Sequence, residues 1–309
     1  MSKNIFSIKS TPAWLQIIYF FLLSAGCFII FSVISSIILV AVGRDTDTLW
    51  TPLTLWLTQF ITAVGLFIIP ALWFCYVREE KLSIFFNLSK RFSYSWLWWI
   101  LLWIVTIPLL SWIIKWNADI SFPASFSALE NWLRTMEKSA EQVTNILLSQ
   151  VSFKGIVLNL LIIAILPAIA EELFFRGVIL RLLSEWWGKK SATKTNNTFP
   201  ISHIAVWVSA IIFSALHFQF FGFIPRMLLG VLLGYAYVCS GSLLLPILIH
   251  FTNNAIATVF YSSSNPMFNQ NIDTPVPTIW VIISIVATVA VIVAIVKNRQ
   301  NHPFDNSQK

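Results

Sequence analysis

The chain has 309 residues, a net charge of +7, 57% hydrophobic residues and only 11% charged ones. Soluble domains carry about 25% charged residues, so this composition, with a mean hydropathy of +0.78, excludes a soluble globular protein and specifies a polytopic helical membrane protein. The basic excess then belongs to loops retained in the cytoplasm, and no nucleic-acid partner is expected.

A helical span needs about 20 apolar residues. Lys3 and Lys9 precede a first run from Trp14 to Val42 that is too long for a signal-peptide core and lacks a small-residue cleavage site. It is read as an uncleaved span, 14–42. Further runs predict spans over 52–76, 96–116, 155–182, 201–219, 223–240, 243–262 and 277–297. Gly222 and Pro225 mark a short turn or re-entrant loop around 217–226. Trp96, Trp98, Trp99, Trp103, Trp112 and Trp116 bracket the third span as interfacial anchors would. The polar tail from Asn298 to Lys309 is expected to be disordered.

Between spans three and four, Phe126, Leu129, Leu133, Met136, Ala140, Val143 and Leu147 recur in steps of three and four. That pattern predicts an amphipathic helix over 126–149, at the outer interface or covering the bundle, with Ser127 and Glu130 as a capping box. The expected fold is an all-α polytopic membrane helix bundle of about eight transmembrane helices plus this helix. Residues 1–154 form an N-terminal part, 155–262 a core and 263–309 a last span with its tail.

Loop charges agree with this count. Lys3, Lys9, Arg78, Lys81, Lys90, Arg91, Arg181, Lys189, Lys190, Lys194, Lys297 and Arg299 fall on one side. Arg44, Arg134, Lys138, Lys154 and Arg226 fall on the other, among Asp45, Asp47, Asp119, Glu130, Glu137, Glu141 and Asp273. The first side is cytoplasmic by the positive-inside rule, which puts both termini there. Cys27, Cys75 and Cys239 lie within or at the ends of apolar runs without metal-type spacing and are read as buried small hydrophobes.

The fourth span carries Ala170-Glu171-Glu172-Leu173-Phe174-Phe175-Arg176-Gly177. Charges at bilayer depth are costly and usually functional. Neighbouring helical residues point about 100° apart, so the two carboxylates separate. Glu172 and Arg176, four apart, can pair as framework, which leaves Glu171 as the carboxylate available to accept a proton from water. Downstream, His217 closes Phe213-Ser214-Ala215-Leu216-His217, and His250 opens His250-Phe251-Thr252-Asn253-Asn254. Asn254 shares a helical face with His250, with Asn253 as the near alternative. From the span boundaries, His250 lies near the cytoplasmic start of its span and His217 near the far end of the fifth. One of those helices must start late, tilt or break.

The ordered set Glu-Glu-x-x-x-Arg, Phe-x-x-x-His and His-x-x-x-Asn resembles the CAAX protease and bacteriocin-processing (CPBP, or Abi) family, which includes the type II CAAX prenyl endopeptidases. The resemblance covers about 155–262. It implies an intramembrane endopeptidase in which Glu171 and His217 activate water while His250 and Asn254 polarise the carbonyl and hold the oxyanion. Glu172 and Arg176 support the site. Two His and one Glu also match a catalytic zinc set, so Glu171, His217 and His250 are candidate metal ligands. A metal-free glutamate mechanism needs the same residues and is slightly preferred, because the His-Glu-x-x-His signature is absent. Expected partners are membrane lipids and a peptide or lipidated protein substrate; the expected location is a bacterial cytoplasmic membrane. The competing reading is a non-catalytic membrane scaffold or bacteriocin-immunity-type protein with the same fold.

Overall fold

The computed structural model describes residues 7–41, 43, 50–88, 92–187, 202–262 and 276–301, with helices and no strand among them. The helices are α1 (Ala13–Ala41), α2 (Pro52–Val77), α3 (Leu82–Phe85), α4 (Ser95–Ala118), α5 (Ser127–Leu148), α6 (Phe153–Trp187), α7 (His203–Ala215), α8 (Phe223–Ser240), α9 (Leu244–Ser262) and α10 (Thr278–Asn301). Expectations for Lys3, Arg44, Asp45, Asp47, Lys90, Arg91, Lys189, Lys190, Lys194, Asp273 and the tail beyond Asn301 fall outside the described residues. Residues 298–301 continue α10 as helix instead of beginning the tail.

Each apolar run carries a helix among the described residues. α1, α2, α4, α6, α8 and α10 are long and apolar enough to cross a membrane, whereas α7 and the Leu244–Phe260 stretch of α9 are shorter apolar helices. The expected span 201–219 shrinks to the 13 residues of α7, about 20 Å at 1.5 Å per residue. The chain leaves the helix after Ala215, takes a positive φ of 54° at Phe218 and makes a single 3-10 turn at Phe220–Gly222 before α8. Asn117 at the end of α4 pins this turn, donating from Nδ2 to the Phe220 carbonyl at 3.2 Å and accepting the Ile224 N–H at 2.8 Å. Gly241, at φ 63°, closes α8 in the left-handed conformation that glycine adopts without penalty, so that α9 can return.

α6, with 35 residues, runs about 50 Å, longer than the roughly 30 Å hydrocarbon core, and therefore tilts or projects. It widens into π-helical turns at Leu160–Ile165 and Leu173–Leu180. Pro167 accounts for the first: it has no N–H for the Ile163 carbonyl and its ring crowds that oxygen. The second half of α6 is the hub of an aromatic core. Phe174 meets Phe20 of α1 and Phe67 of α2, and Phe175 meets Phe213 of α7, with ring centroids 4.7, 5.1 and 5.0 Å apart. Phe86 approaches Gly177 so closely that a Cβ there would lie 2.5 Å from the ring.

A second core joins α4, α8, α9 and α10 through Trp96, Trp99, Trp103, Leu233, Leu245, Ile249 and Val291. Trp96, Trp99 and Trp103 are thus core residues, spaced i, i+3, i+7 on one helix face, while Trp98, Trp112 and Trp116 stay exposed as anchors would. Two arginines counted as loop charges are likewise engaged: Arg78 and Arg181 bind Glu80 and Glu185 at 2.9–3.2 Å, linking α2 to α6.

α5 forms as the periodicity required, but its start differs. Ser127 is already helical and does not cap. Glu130 instead reaches back to the Phe122 N–H at 2.9 Å and pairs with Arg134 at 2.7 Å, because the chain folds against the helix from Ile120 onward. Its apolar stripe also divides. Leu147 and Leu148 are buried, while Leu129, Trp132 and Met136 are exposed. Asn159 of α6 holds the end of α5 by donating to the Leu147 carbonyl at 2.7 Å.

Candidate functional site

Glu172 and Arg176 pair as their spacing required. Arg176 Nη1 donates to Glu172 Oε1 at 2.7 Å, with the two side chains 1% and 0% exposed. Arg176 Nη2 donates to the Gly230 carbonyl of α8 at 2.9 Å, and its guanidinium lies over the Phe213 ring of α7 at 4.8 Å. One side chain of α6 therefore ties three helices, and the pairing offsets the cost of burying its charge.

His250 joins the same carboxylate. Its Nδ1 lies 2.9 Å from Glu172 Oε1, so this nitrogen carries the hydrogen and donates to the carboxylate. The other ring nitrogen, Nε2, then has a free lone pair when the ring is neutral, and it faces Glu171 Oε2 at 3.9 Å. That separation is beyond a hydrogen bond and of the order that one shared water spans. Glu171 and Glu172 thus meet the two nitrogens of one imidazole from successive positions on α6.

His217 sits in the turn after α7, not on a transmembrane helix. Its Nδ1 lies 2.8 Å from the Phe213 carbonyl, which can only accept, so Nε2 is again the nitrogen with the lone pair. The expected mismatch in depth between His217 and His250 is bridged by one side chain. Both imidazoles pack nearly edge-to-face with the Phe213 ring, at 5.1 and 6.0 Å between centroids. α7 ends at Ala215, and the turn that follows folds His217 back onto Phe213.

The two asparagines diverge. Asn254 directs Nδ2 to the Ile163 carbonyl at 3.4 Å, the oxygen to which Pro167 cannot donate. Asn253 instead accepts from Trp103 Nε1 of α4 at 3.4 Å and donates to Asn254 Oδ1 at 3.3 Å. Asn254 is the member that faces the helix bearing Glu171.

Arg226 was counted above as a loop charge, although it lies inside the apolar run 223–240. The structure places it on the first turn of α8, beside the His217 turn, where Nη2 donates to Gln219 Oε1 at 2.7 Å. An arginine within an apolar run was the available signal. Phe213 is the other residue underestimated by the sequence, which offered it only as the first letter of a histidine motif.

The proposed metal set has suitable donor chemistry in part. Both imidazoles turn Nδ1–H to an oxygen and leave Nε2 for coordination, as metal-bound histidines commonly do. Among the described residues no group of three His, Cys, Asp or Glu side chains is drawn together as a metal site. The geometry that is present is a carboxylate, an imidazole held by a second carboxylate, and an amide.

A bundle of long apolar helices with this buried Glu–Arg–His constellation in its interior is that of a multi-pass membrane protein. Residues 153–256 match the family model described as type II CAAX prenyl endopeptidase Rce1-like, consistent with the CPBP resemblance carried by the three motifs. The match covers about a third of the chain and gives the likeness of that stretch to this family of endopeptidases. The match runs from the start of α6 into α9 and contains Glu171, Glu172, Arg176, His217, His250 and Asn254. Over 102 residues the chain is 29% identical to the uncharacterized protein YpbD of Bacillus subtilis (strain 168), covering 32% of this chain and 43% of that protein. The chain thus spans less than half the length of this relative. No solved structure matches.

Proposed function

We propose that the protein is an intramembrane endopeptidase that hydrolyses a peptide bond in a membrane-associated or lipidated substrate, from a bacterial cytoplasmic membrane with both termini inside. The observation that carries this reading is His250, held at Nδ1 by Glu172 and presenting Nε2 to Glu171. In this reaction Glu171 takes a proton from a water molecule held between its carboxylate and His250. The water oxygen attacks the scissile carbonyl carbon, and the carbonyl electrons move onto oxygen. Asn254 donates to that oxyanion, a task for preorganised donors. The oxyanion collapses, the C–N bond breaks, and the proton passes from Glu171 to the departing amine. His217, with Nε2 available, assists the water or the leaving group.

This mechanism uses only the protein's own groups, in keeping with the metal-free reading. The decisive experiment follows a cleavage product from membranes or proteoliposomes. Wild type should generate it, and Glu171→Ala should lose it with unchanged insertion and melting temperature. A positioned general base contributes about 10²–10⁴-fold, so residual cleavage should fall at least into that range. Full cleavage by Glu171→Ala would sink the mechanism, and a phenotype preserved without any cleavage would favour the scaffold reading. Metal content measured beside activity after chelation addresses the cofactor. Full activity without metal supports the mechanism above; loss reversed by zinc replaces it.

A further inference from the structure

Arg226 is the charged side chain near the site that the reaction above leaves without a task. Only one edge of its guanidinium is engaged, Nη2 with Gln219 Oε1 at 2.7 Å. Nη1 is buried and has no hydrogen-bond partner. The guanidinium lies against Gly222, where an added Cβ would stand 3.2 Å from Nη2 and 3.7 Å from Cζ and Nη1. A Cβ at 222 would make the fork give by a few tenths of an ångström. Its charge acts on Glu171 and His217 on one side and on Glu137 of α5 on the other. Glu137, however, spends Oε2 on the Phe221 N–H at 3.2 Å.

A guanidinium remains charged at any working pH and presents five donors in a planar fork suited to paired oxygens. A buried donor of this kind without a partner calls for an explanation, and the natural ligand for it is an anionic oxygen. We propose that Arg226 is the anion-binding residue of this site, its Nη1 taking an oxygen of the bound peptide: the terminal carboxylate, or the oxyanion formed at the scissile carbonyl. The oxyanion alternative rests on the endopeptidase reading; the carboxylate alternative requires only that a peptide binds. Gln219 and Gly222 then act as positioning residues, one orienting the fork and the other leaving room for it.

The test uses the full chain in detergent micelles and two fluorescein-labelled apolar peptides of one sequence, ending in a free carboxylate or an amide. Binding to Glu171→Gln protein is read by anisotropy, so that cleavage does not interfere. If the carboxylate is the ligand, the free acid binds at least tenfold tighter than the amide. Adding Arg226→Gln removes the preference, and Arg226→Lys keeps part of it. If the oxyanion is the ligand, both peptides bind alike, and Arg226→Gln in the active enzyme lowers kcat at least tenfold with KM unchanged. Gly222→Ala, whose Cβ crowds the guanidinium, should shift the same quantity in a folded protein and serves as the second variant if Arg226→Gln does not fold. The proposal is overturned if folded Arg226→Gln or Gly222→Ala leaves both the peptide preference and kcat at wild-type values. A carboxylate preference without any cleavage would remove the endopeptidase reading and keep the anion site.

Discussion

His250 and Glu172 share one hydrogen bond, 2.9 Å from Nδ1 to Oε1, on the same carboxylate oxygen that receives Arg176 at 2.7 Å. Glu172 therefore does two things at once: it compensates a fully buried guanidinium and fixes which nitrogen of His250 faces Glu171. The framework contact and the tautomer-setting contact fall on one oxygen atom.

Breaking this pair from one side leaves an uncompensated buried charge, which costs about 3–5 kcal/mol, whereas replacing both partners by apolar residues is often far milder. Glu172→Leu and Arg176→Met should each lower the unfolding temperature in detergent strongly, and the double variant should recover part of the loss. All three should remain inactive, because His250 loses its Nδ1 acceptor or the geometry that supports it. Additive destabilisation in the double variant would show that the two charges do not depend on each other.

Asn254 and Asn253 should separate in kinetics. Loss of one oxyanion donor costs about 10²–10³ in kcat, so Asn254→Ala should fall by that order. Asn253→Ala, which removes a bond to Trp103, should change kcat by less than about tenfold. Steady-state rates on the same cleaved substrate decide between them. The reverse order would assign Asn253 to the reaction.

Phe213 holds Arg176, His217 and His250 against one ring. Truncating a buried Phe to Ala costs about 3–5 kcal/mol, and here the loss should also release both imidazoles. Phe213→Leu, which keeps most of the volume, should retain the fold while kcat falls. An active and stable Phe213→Ala protein would show that the histidines are held by other contacts.

Glu130 tests the seating of α5. The Phe122 N–H and then Arg134 favour its ionised form and hold its carboxyl below the ordinary value of 4.5. A depressed folded pKa contributes stability above the unfolded value and loses it as pH falls through the folded one. Hydrogen exchange at 120–134, corrected for intrinsic rates, should therefore rise in wild type as the pH falls below the ordinary carboxyl value of 4.5. Glu130→Gln should show raised exchange already at neutral pH and a flatter response. Identical profiles would exclude Glu130 as the anchor.

Much of this architecture was readable without coordinates, because it follows from composition and from the 3.6-residue helical period. Apolar runs located α1, α2, α4 and α6 to α10, steps of three and four located α5, and the four-residue spacing of Glu172 and Arg176 predicted their pair, since helix geometry alone sets which side chains are neighbours. Three ordered motifs pointed to the protease-like domain. Tertiary packing decided what spacing along one chain cannot hold. It turned Trp96, Trp99 and Trp103 into core, sent Glu130 back to Phe122, and ended α7 at Ala215 so that His217 meets Phe213. It also joined His250 to Glu172 across 78 positions of sequence and brought Arg226 from an apparent loop into the neighbourhood of Glu171. Which groups meet across helices depends on tilt, π-helical widening and close approach at Gly177 and Gly222, and these are properties of the packed bundle.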